Sequence, residues 1–338
     1  MHATMKDIAR ETGFSINTVS RALRNDSLLS EKTRKKICDA AEQFGYIQNS
    51  MAYSLRTGSS QTIAIIAGDI ANPYFSIFIK GIEKIMEQHG YTVLVLNTSE
   101  DETKELAAIK ASLNKKVDGI LICPVQKTTD NIQYLKKFNI PFVLFGRNFS
   151  QIKTNYVISD EKQGGYLATK CLIDHGHKDI LFLLANEYIS SSVQRLLGCK
   201  LAFKEAGLPF PAENVYHFDI ASPNLSGRFL AGEVPVGSST AMVCFSDVIG
   251  HECIYALKSL HKKVPDDISI VGFDDIQSMF VLSTALTSIT SRQNISSPAA
   301  EMLLEKMRSD DGKYRTMVLD VVLCPGETVS DLNGRGTR

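Results

Sequence analysis

Hydrophobic and polar positions follow two different spacings on either side of residue 62. Before it, apolar residues recur every three or four positions in short stretches, which indicates small amphipathic helices. After it, short apolar runs alternate with longer amphipathic stretches, which predicts buried strands connected by helices. The predicted strands include Thr62–Ala67, 91–96, 118–123, 141–145, 179–185, 240–245 and 268–273, and the predicted helices include 74–89, 102–115, 161–175, 193–206 and 249–262.

The alternation of strands and helices predicts an α/β body of doubly wound parallel sheets with helices on both faces. About ten strands are more than one small sheet holds, so we expect two similar lobes. An all-α head precedes this body, and a length of 338 residues suits such a division into domains.

The first residues of the head have the signals of two short helices joined by a turn. Thr4 followed by Asp7 matches a capping box, Gly13 suits a turn, and Ser15 can cap a second helix. In that second helix one face is apolar and the opposite face is polar. The apolar face consists of Val19, Ala22 and Leu23, and the polar face consists of Asn17, Arg21 and Arg24.

This arrangement predicts a helix-turn-helix, because Asn and Arg are side chains that form paired hydrogen bonds with adenine and guanine edges. A third helix, capped by Ser30, completes a small core through Ile37, Ala41 and Phe44 before Gly45 ends it. Its first turns carry Lys32, Arg34, Lys35 and Lys36, which suit phosphate contacts. The alternative is a small helical bundle with ordinary surface charge.

The segment after the head favours DNA binding over that alternative. Residues 49–56 can form a helix of about two turns, which is marginal in isolation. Residues 57–61 are a flexible linker. We therefore expect a hinge that orders when it docks, with Leu55 as an apolar wedge for a minor-groove step.

Charge and cysteine content change this picture only a little. Lys plus Arg and Asp plus Glu both number 37, whereas residues 1–60 carry nine basic and six acidic side chains. A basic end fits a nucleic-acid contact. The seven cysteines are scattered without a C-x-x-C pair, and the chain has no apolar run long enough to span a bilayer and no secretory signal, so we expect a cytoplasmic protein with reduced thiols and no membrane contact.

Several motifs then occur together. They are TVSRAL at 18–23, SEKTR at 30–34, GY at 45–46, Asn49 and SLRTG at 54–58. With them the stretch from residue 5 to residue 58 resembles the head and hinge of the lactose/galactose-repressor family of bacterial transcription regulators. The resemblance implies that Ile16, Asn17 and Arg21 face the major groove, that Leu55 enters the minor groove, and that Asn49, Ala52 and Tyr53 support the hinge contact. The full set of expected DNA contacts is Thr4, Ser15, Ile16, Asn17, Thr18, Ser20, Arg21, Arg24, Thr33, Asn49, Ala52, Tyr53, Leu55 and Arg56.

The resemblance continues to about residue 325 and implies the fold of periplasmic sugar-binding proteins, with three crossovers between the lobes. The expected domains are a helix-turn-helix head at 1–48, a hinge helix and linker at 49–60, a two-lobed body at 61–330 and a loose tail at 331–338. Lobe 1 would hold about 61–160 and 291–318, and lobe 2 about 161–290 and 319–330.

A ligand is expected beyond the carboxyl ends of the strands, where such sheets bind their ligands. An aromatic face with carboxylates and arginines suits a polyol, since C–H groups pack on the ring and charged groups bond adjacent hydroxyls. The resemblance also implies Tyr74 and Phe75 at the cleft, with Arg195 and Asp274 as anchors from the second lobe. The expected ligand-binding residues are Asp69, Tyr74, Phe75, Arg147, Arg195, Ser246 and Asp274.

Other roles are open for several of these positions. Phe75 could belong to the core, Arg147 could be a surface or lobe-bridging charge, and one of Asp274 and Asp275 could only cap a turn. Asp160 and Asp247 are interpreted as helix caps. Many sugar-responsive relatives have Asn at the position of Ser246, and this departure argues against assigning one specific sugar. Ile189 with Ser191 offers no cation of the kind that a purine-responsive relative uses, so a sugar or sugar derivative is the expected effector.

Two further clusters are interpreted as structural. His175 and His177 lack additional metal ligands at suitable spacing, and Gly176 between them suits a helix C-cap. Gly164 and Gly165 do not form a phosphate loop. No catalytic residues, metal or cofactor are expected.

The sequence therefore predicts a transcriptional repressor. We expect it to bind a near-palindromic operator in double-stranded DNA as a homodimer, and a small effector to control this binding. A solute-binding protein and an enzyme with an attached head are the alternatives.

Overall fold

The computed structural model describes residues 3–23, 26, 28–46, 58–222, 224–309 and 311–333. The chain divides into two compact units, Met1–Ser60 and Gln61–Arg338. The first unit is the head and the second is the body.

Three helices form the described part of the head: α1 (Met5–Thr12), α2 (Ile16–Ala22) and α3 (Glu31–Gln43). Each begins at a polar residue of the predicted kind. The Asp7 carboxylate accepts hydrogen bonds from the backbone N–H and the hydroxyl of Thr4, and the Ser15 and Ser30 hydroxyls accept from the third residue of α2 and α3. Gly13 has a φ of 75°, which lets the chain turn between α1 and α2. The predicted helix-turn-helix is thus confirmed.

The core of the head is built from the predicted apolar faces, with one exception. Ile8, Val19 and Ile37 are fully buried. The prediction for Phe44 was wrong: this side chain is 42% exposed. It lies at the C-cap of α3, where the helix stops, and Tyr46 packs against the core instead.

The body contains twelve described strands, about two more than the pattern predicted. In chain order they are β1 (Thr62–Ala67), β2 (Thr92–Asn97), β3 (Gly119–Ile122), β4 (Phe142–Phe145), β5 (Tyr156–Ser159), β6 (Ile180–Ala185), β7 (Val215–Phe218), β8 (Ala241–Cys244), β9 (Ser269–Phe273), β10 (Thr287–Ser291), β11 (Thr316–Leu319) and β12 (Val321–Cys324). The helices are α4 (Pro73–Gln88), α5 (Glu102–Asn114), α6 (Asp130–Leu135), α7 (Glu161–Asp174), α8 (Ser190–Glu205), α9 (Leu225–Leu230), α10 (Asp247–Ser259) and α11 (Ser296–Arg308). Within the described ranges, no helix has the length and apolarity needed to cross a membrane.

The strands form two six-stranded sheets of similar order, β11-β5-β4-β3-β1-β2 and β12-β10-β9-β8-β6-β7. All described pairs are parallel except β10 with β12, which is antiparallel. Both sheets have buried apolar residues on both faces: α4 and α11 cover one face of the first sheet, and α7 and α8 cover one face of the second. The predicted fold class of a helical head and two doubly wound lobes is confirmed.

The chain passes between the two sheets three times: between β5 and β6, between β10 and α11, and between β11 and β12. The hydroxyls of Ser159 and Ser291, at the ends of β5 and β10, lie 2.8 Å apart. Two of the three crossing segments are therefore hydrogen-bonded to each other.

Candidate functional site

The outward face of α2 is the candidate DNA-reading surface of the head. Its two buried residues, Val19 and Ala22, hold the helix on the core and leave the other side chains outside. Ile16 is 44% exposed and Asn17 is exposed beside it. An apolar side chain and an amide thus lie together at the N-terminal end of α2, as the sequence predicted.

Arg21, the base-reading candidate at the other end of α2, is held by a neighbour. Its Nε donates to Asp26 Oδ2 over 2.8 Å, and both side chains are about one-third exposed. An ion pair that is one-third exposed is weak enough to exchange for a base edge.

The remaining head candidates have capping roles or lie outside the described residues. Ser15 shares a hydrogen bond with Thr18, and Thr33 shares one with Ser30, so these hydroxyls lie at the N-termini of α2 and α3 where backbone N–H groups are available to phosphate. Thr4 has the same place on α1, and Ser20 lies half-buried within α2. The predictions for Arg24, Asn49, Ala52, Tyr53, Leu55 and Arg56 fall on residues that the structure does not describe.

A cavity of about 310 Å³ lies within the body at the carboxyl ends of the strands of both sheets. Its walls include residues of the first two crossing segments, such as Ser159, Glu161 and Ser291, together with Val321 at the third. The structure brings all seven predicted ligand-binding residues together here: Asp69, Tyr74, Phe75, Arg147, Arg195, Ser246 and Asp274.

Tyr74 and Phe75 are the aromatic residues that line this cavity from the first sheet, and Phe218, Phe245 and Phe273 line it from the second. Asn72 caps α4 by accepting from the backbone N–H of Tyr74, and Pro73 is the first helical residue. The two rings meet edge to face with centroids 5.3 Å apart. Phe75 is only 4% exposed and also contacts Phe145, so it is both a core residue and a cavity wall. Burial raises the pKa of the Tyr74 phenol well above its ordinary value, so this group is a neutral hydrogen-bonding partner.

Arg147 is neither a surface charge nor a link between the lobes. It is buried, and its guanidinium donates to both oxygens of Glu100 over 2.7 and 2.8 Å and to the carbonyl oxygen of Pro124. Burial lowers the pKa of Arg147, but the charge of Glu100, the charge of Cys123 and the hydrogen bonds to Glu100 together outweigh burial, and the net pKa is raised. The Arg147 guanidinium therefore stays charged, and both members of the pair lie at the first sheet.

Arg195 is fixed by aromatic rings and a carboxylate. Its guanidinium lies 4.7 Å from the Phe245 ring centroid and 4.0 Å from that of Phe273. Its Nε donates to Glu161 over 2.6 Å, and its Nη1 donates to the carbonyl oxygen of Phe245. This arginine is therefore oriented before any ligand arrives.

Asp274 lies beside Arg195 at the end of β9, in a backbone conformation with a φ of 98°. Among the described residues, no group donates a hydrogen bond to its carboxylate or forms an ion pair with it. Burial raises the pKa of Asp274 to about 6, and nearby Arg195 opposes that shift. The neighbouring Asp275 begins a short 3₁₀ helix (Ile276–Ser278) and does not line the cavity.

The interpretation of Asp247 as a helix cap was wrong, because the neighbouring Ser246 has that role. Ser246 is the N-cap of α10, and its hydroxyl accepts from the backbone N–H of Ile249 while it lines the cavity. Asp247 is the first residue of α10, not its cap. Its buried carboxylate accepts from the Ser288 hydroxyl at 2.7 Å and from the Ile276 backbone at 3.0 Å. Burial raises the pKa of Asp247 to about 8.

The last predicted residue, Asp69, lies exposed at the cavity edge and accepts from the backbone N–H of Ala71. Sequence reasoning missed Glu100 and Glu161, the partners of the two cavity arginines. Their partners are 47 and 34 residues away along the chain. No local spacing reveals such a pairing.

The clusters interpreted as structural have structural contacts. His177 is buried between the Thr240 hydroxyl and the Ser330 carbonyl, and Gly176 has a φ of 87° at the end of α7. Asp160 caps α7 through the backbone N–H of Gln163, as predicted. Ile189 is fully buried in the core of lobe 2 and does not line the cavity, so the argument about purines from this position does not bear on the ligand. Within the described residues, no three His, Cys, Asp or Glu side chains lie together as a metal site.

Two family models match this chain. Residues 4–49 match bacterial regulatory proteins of the lacI family, and residues 59–324 match the periplasmic binding proteins and sugar binding domain of the LacI family. The second match alone covers most of the chain.

Full-length relatives and solved structures agree with these matches. The chain is 30% identical over 323 residues to the HTH-type transcriptional repressor PurR of Actinobacillus pleuropneumoniae serotype 3 (strain JL03), covering 94% of this chain and 95% of that protein. It is also 30% identical to PurR of Vibrio parahaemolyticus serotype O3:K6 (strain RIMD 2210633), covering 98% of this chain and all of that protein.

The Lac repressor dimer bound to operator and an anti-inducer has the same fold, with a TM-score of 0.80 at 23% identity over 98% of this chain and 100% of that chain. The complex of the transcriptional regulator CelR with cellobiose gives a TM-score of 0.70 at 21% identity over 96% of this chain and 99% of that chain. The head, the two-lobed body and these matches lead to one conclusion: the chain belongs to the lacI family of bacterial regulatory proteins and is a DNA-binding transcriptional regulator.

Proposed function

We propose that this protein is a repressor that binds a near-palindromic operator as a homodimer and responds to a hydroxylated effector, a sugar or sugar derivative, in the body cavity. The effector proposal rests on one observation. The seven predicted side chains, which are aromatic rings, carboxylates, guanidiniums and a hydroxyl, line a single cavity of about 310 Å³. A cytoplasmic location follows from action on bacterial DNA, and the seven free cysteines fit a reducing compartment.

The proposed division of the chain is a head at 1–48, a hinge helix and linker at 49–60, and a body at 61–330 followed by a tail. Within the body, lobe 1 is taken as 61–160 with 291–318 and lobe 2 as 161–290 with 319–330. The membership of the two sheets supports this division, since β11 joins the first sheet and β12 the second.

The proposed reading of DNA uses the outward face of α2. Asn17 and Arg21 offer hydrogen bonds to base edges, and Ile16 offers an apolar contact of the kind a thymine methyl accepts. The caps Ser15, Ser30 and their threonine partners are proposed to face phosphates. A dimer of such heads reads two half-sites, which makes the operator near-palindromic.

The proposed effector site combines one aromatic wall with directional polar groups. A sugar presents C–H groups that pack on the Tyr74 ring and hydroxyls that bond to Asp274 and the unused N–H groups of Arg195. Because the cavity has walls from both sheets, a ligand that contacts both walls binds one arrangement of the lobes better than another. Such differential affinity is the physical requirement for control of the head by the body.

An enzymatic role is disfavoured by the chemistry of the cavity. Cys123 lines it, but burial raises the pKa of this thiol to about 12, which leaves little thiolate for nucleophilic attack. Several serines line it as well, but no histidine does so among the described residues, so these hydroxyls have no imidazole base.

The deciding experiment separates head from body. Full-length protein is expected to select an operator from genomic DNA against scrambled competitor at moderate salt. A chain lacking residues 1–60 is expected to lose this selection and to keep the thermal shift produced by the effector. Equal binding to every duplex by the full chain would contradict the proposal, and substrate turnover by either chain would favour the enzyme.

A further inference from the structure

The charged side chains of the cavity do not balance. Six of them line it: the carboxylates of Asp69, Glu100, Glu161 and Asp274 and the guanidiniums of Arg147 and Arg195. Four carboxylates thus face two guanidiniums. This excess of negative groups limits the charge that an effector can carry.

Both guanidiniums are already neutralised by the protein. Arg147 and Glu100 form a pair with two hydrogen bonds, and their side chains are 6% and 4% exposed. Arg195 and Glu161 pair over 2.6 Å with similarly small exposure. Each guanidinium is thus paired with one carboxylate, so the two pairs together bring no net positive charge to an anionic ligand.

The two remaining carboxylates form no ion pair with any described residue, although the charge of Arg195 lowers the pKa of Asp274. Asp274 is half-buried next to Arg195 and accepts no hydrogen bond there, while Asp69 lies at the cavity edge with one backbone N–H as its donor. Burial raises the pKa of Asp274 only to about 6, so at neutral pH its carboxylate is mostly ionised. An ionised group so placed favours a ligand that brings a positive charge.

We infer that the effector is a hydroxylated amine, such as an amino sugar, whose ammonium group pairs with Asp274 while its hydroxyls occupy the rest of the cavity. This inference rests on the proposed function and narrows its ligand class. A neutral sugar supplies hydrogen-bond donors but does not compensate the excess negative charge of the cavity. A phosphate ester or a uronate adds further negative charge. The expected order of affinity is therefore amine, then neutral sugar, then anion.

The test uses matched ligands that differ only in charge. For the glucose, galactose and mannose series, the free sugar, the 2-amino sugar, its N-acetyl form and the 6-phosphate are titrated into the full-length protein at pH 7, with melting-point shift and calorimetry as readouts. In at least one series, the amine should bind about tenfold or more tightly than the free sugar and its N-acetyl form. The 6-phosphate should bind most weakly.

Two outcomes overturn the inference alone and leave the proposed function standing: a neutral sugar that binds as tightly as its amine, or a phosphate that binds best. If no member of any series binds, both the inference and the proposed hydroxylated effector are overturned.

A variant pair tests the assigned partner. Asp274→Asn keeps the shape and removes the charge, so the preference for amine over free sugar should fall to about one. Asp130→Asn removes a carboxylate charge at an exposed position outside the cavity and should keep the preference. If Asp274 had only a structural role, Asp274→Asn would weaken binding of the amine and of the free sugar alike. An unchanged preference for the amine in Asp274→Asn would contradict the assignment.

Discussion

Gly165 of α7 lies directly against the backbone of Arg195 in α8, so closely that a β-carbon on Gly165 would overlap the Arg195 carbonyl oxygen. Gly198 makes the reciprocal contact with the carbonyl oxygen of Lys162. Two glycines therefore let α7 and α8 pack backbone to backbone. That packing also fixes the distance between Glu161 at the start of α7 and Arg195 on α8.

Gly165→Ala is expected to destabilise the body by about 1–3 kcal/mol, because an added methyl group in a close-packed contact forces the two helices apart. It is also expected to weaken effector binding, since Arg195 moves with α8. Chemical denaturation and ligand titration measure the two effects. Gln163→Ala, at an exposed position of the same helix, is the matched control and should stay within about 0.5 kcal/mol of the parent protein.

The buried pair of Glu100 and Arg147 predicts an asymmetric response to mutation. Glu100→Gln leaves a buried guanidinium without its counter-charge and is expected to cost about 3–5 kcal/mol of unfolding free energy. The double variant Glu100→Gln with Arg147→Met removes the charge as well and should recover part of that loss. Denaturant titration of the two variants checks this, and a double variant less stable than Glu100→Gln alone would show that the pair does not act through its charge.

Local spacing was sufficient for the helices of the head, although it misplaced Phe44, but not for the whole cavity. The face of α2 follows from the helical repeat of Val19 and Ala22, and the cavity candidates follow from the rule that ligands bind at the carboxyl ends of parallel strands. Glu100 and Glu161 were missed because each pairs with an arginine distant in sequence. Their role appears only when the sheet order brings those segments together.

Errors in the body came from residues with two equivalent local roles. Ser and Asp are both common helix caps, so the sequence does not show which of Ser246 and Asp247 caps α10. Asp247 turns inward because its carboxylate accepts from the Ser288 hydroxyl on β10, a contact with a residue distant in sequence. The strands that the pattern did not single out, β5, β7 and β10–β12, are four or five residues long. They are also only partly buried, whereas β3, β4 and β8 are equally short but buried throughout, so the missed strands lack the continuous apolar run that predicts a buried strand.

Arg21→Ala is expected to reduce affinity for the cognate operator by about 1–3 kcal/mol and to relax one base position, because it removes a paired hydrogen bond to a base edge. Quantitative gel shifts on an operator and its single-base variants measure both effects. Arg10→Ala on α1 is the matched control, since its side chain is 81% exposed and paired with Asp7. An equal loss on random DNA would assign Arg21 to phosphate instead.

Asp26→Asn tests the partner of Arg21. The ion pair must be exchanged before Arg21 reaches a base, so removing the carboxylate charge should leave operator affinity unchanged or raise it by up to about tenfold. Affinity that falls with Asp26→Asn would mean that Asp26 holds Arg21 in its reading conformation. The same gel shifts, at one fixed salt concentration, distinguish these results.

The buried carboxylate of Asp247 predicts how stability changes with pH. Burial raises its pKa from 3.8 to about 8 in the folded body, whereas the unfolded chain has the ordinary value. Between these values the folded protein holds a proton that the unfolded chain has released. The contribution of Asp247 to stability is therefore fully present below about pH 4 and is lost as pH rises toward 8.

Asp247→Asn removes this titration while its amide can still accept from Ile276 and donate to Ser288. We expect the unfolding free energy of the parent protein, relative to the variant, to fall with rising pH at a slope of at most about 1.4 kcal/mol per pH unit between pH 4 and 8. Denaturant titration at each pH measures the unfolding free energies of the parent and the variant. Taking their difference cancels the contributions of the other titrating groups. A difference that rises with pH for Asp247→Asn would mean that this carboxylate is stabilised in its charged form by Ser288 and the Ile276 backbone.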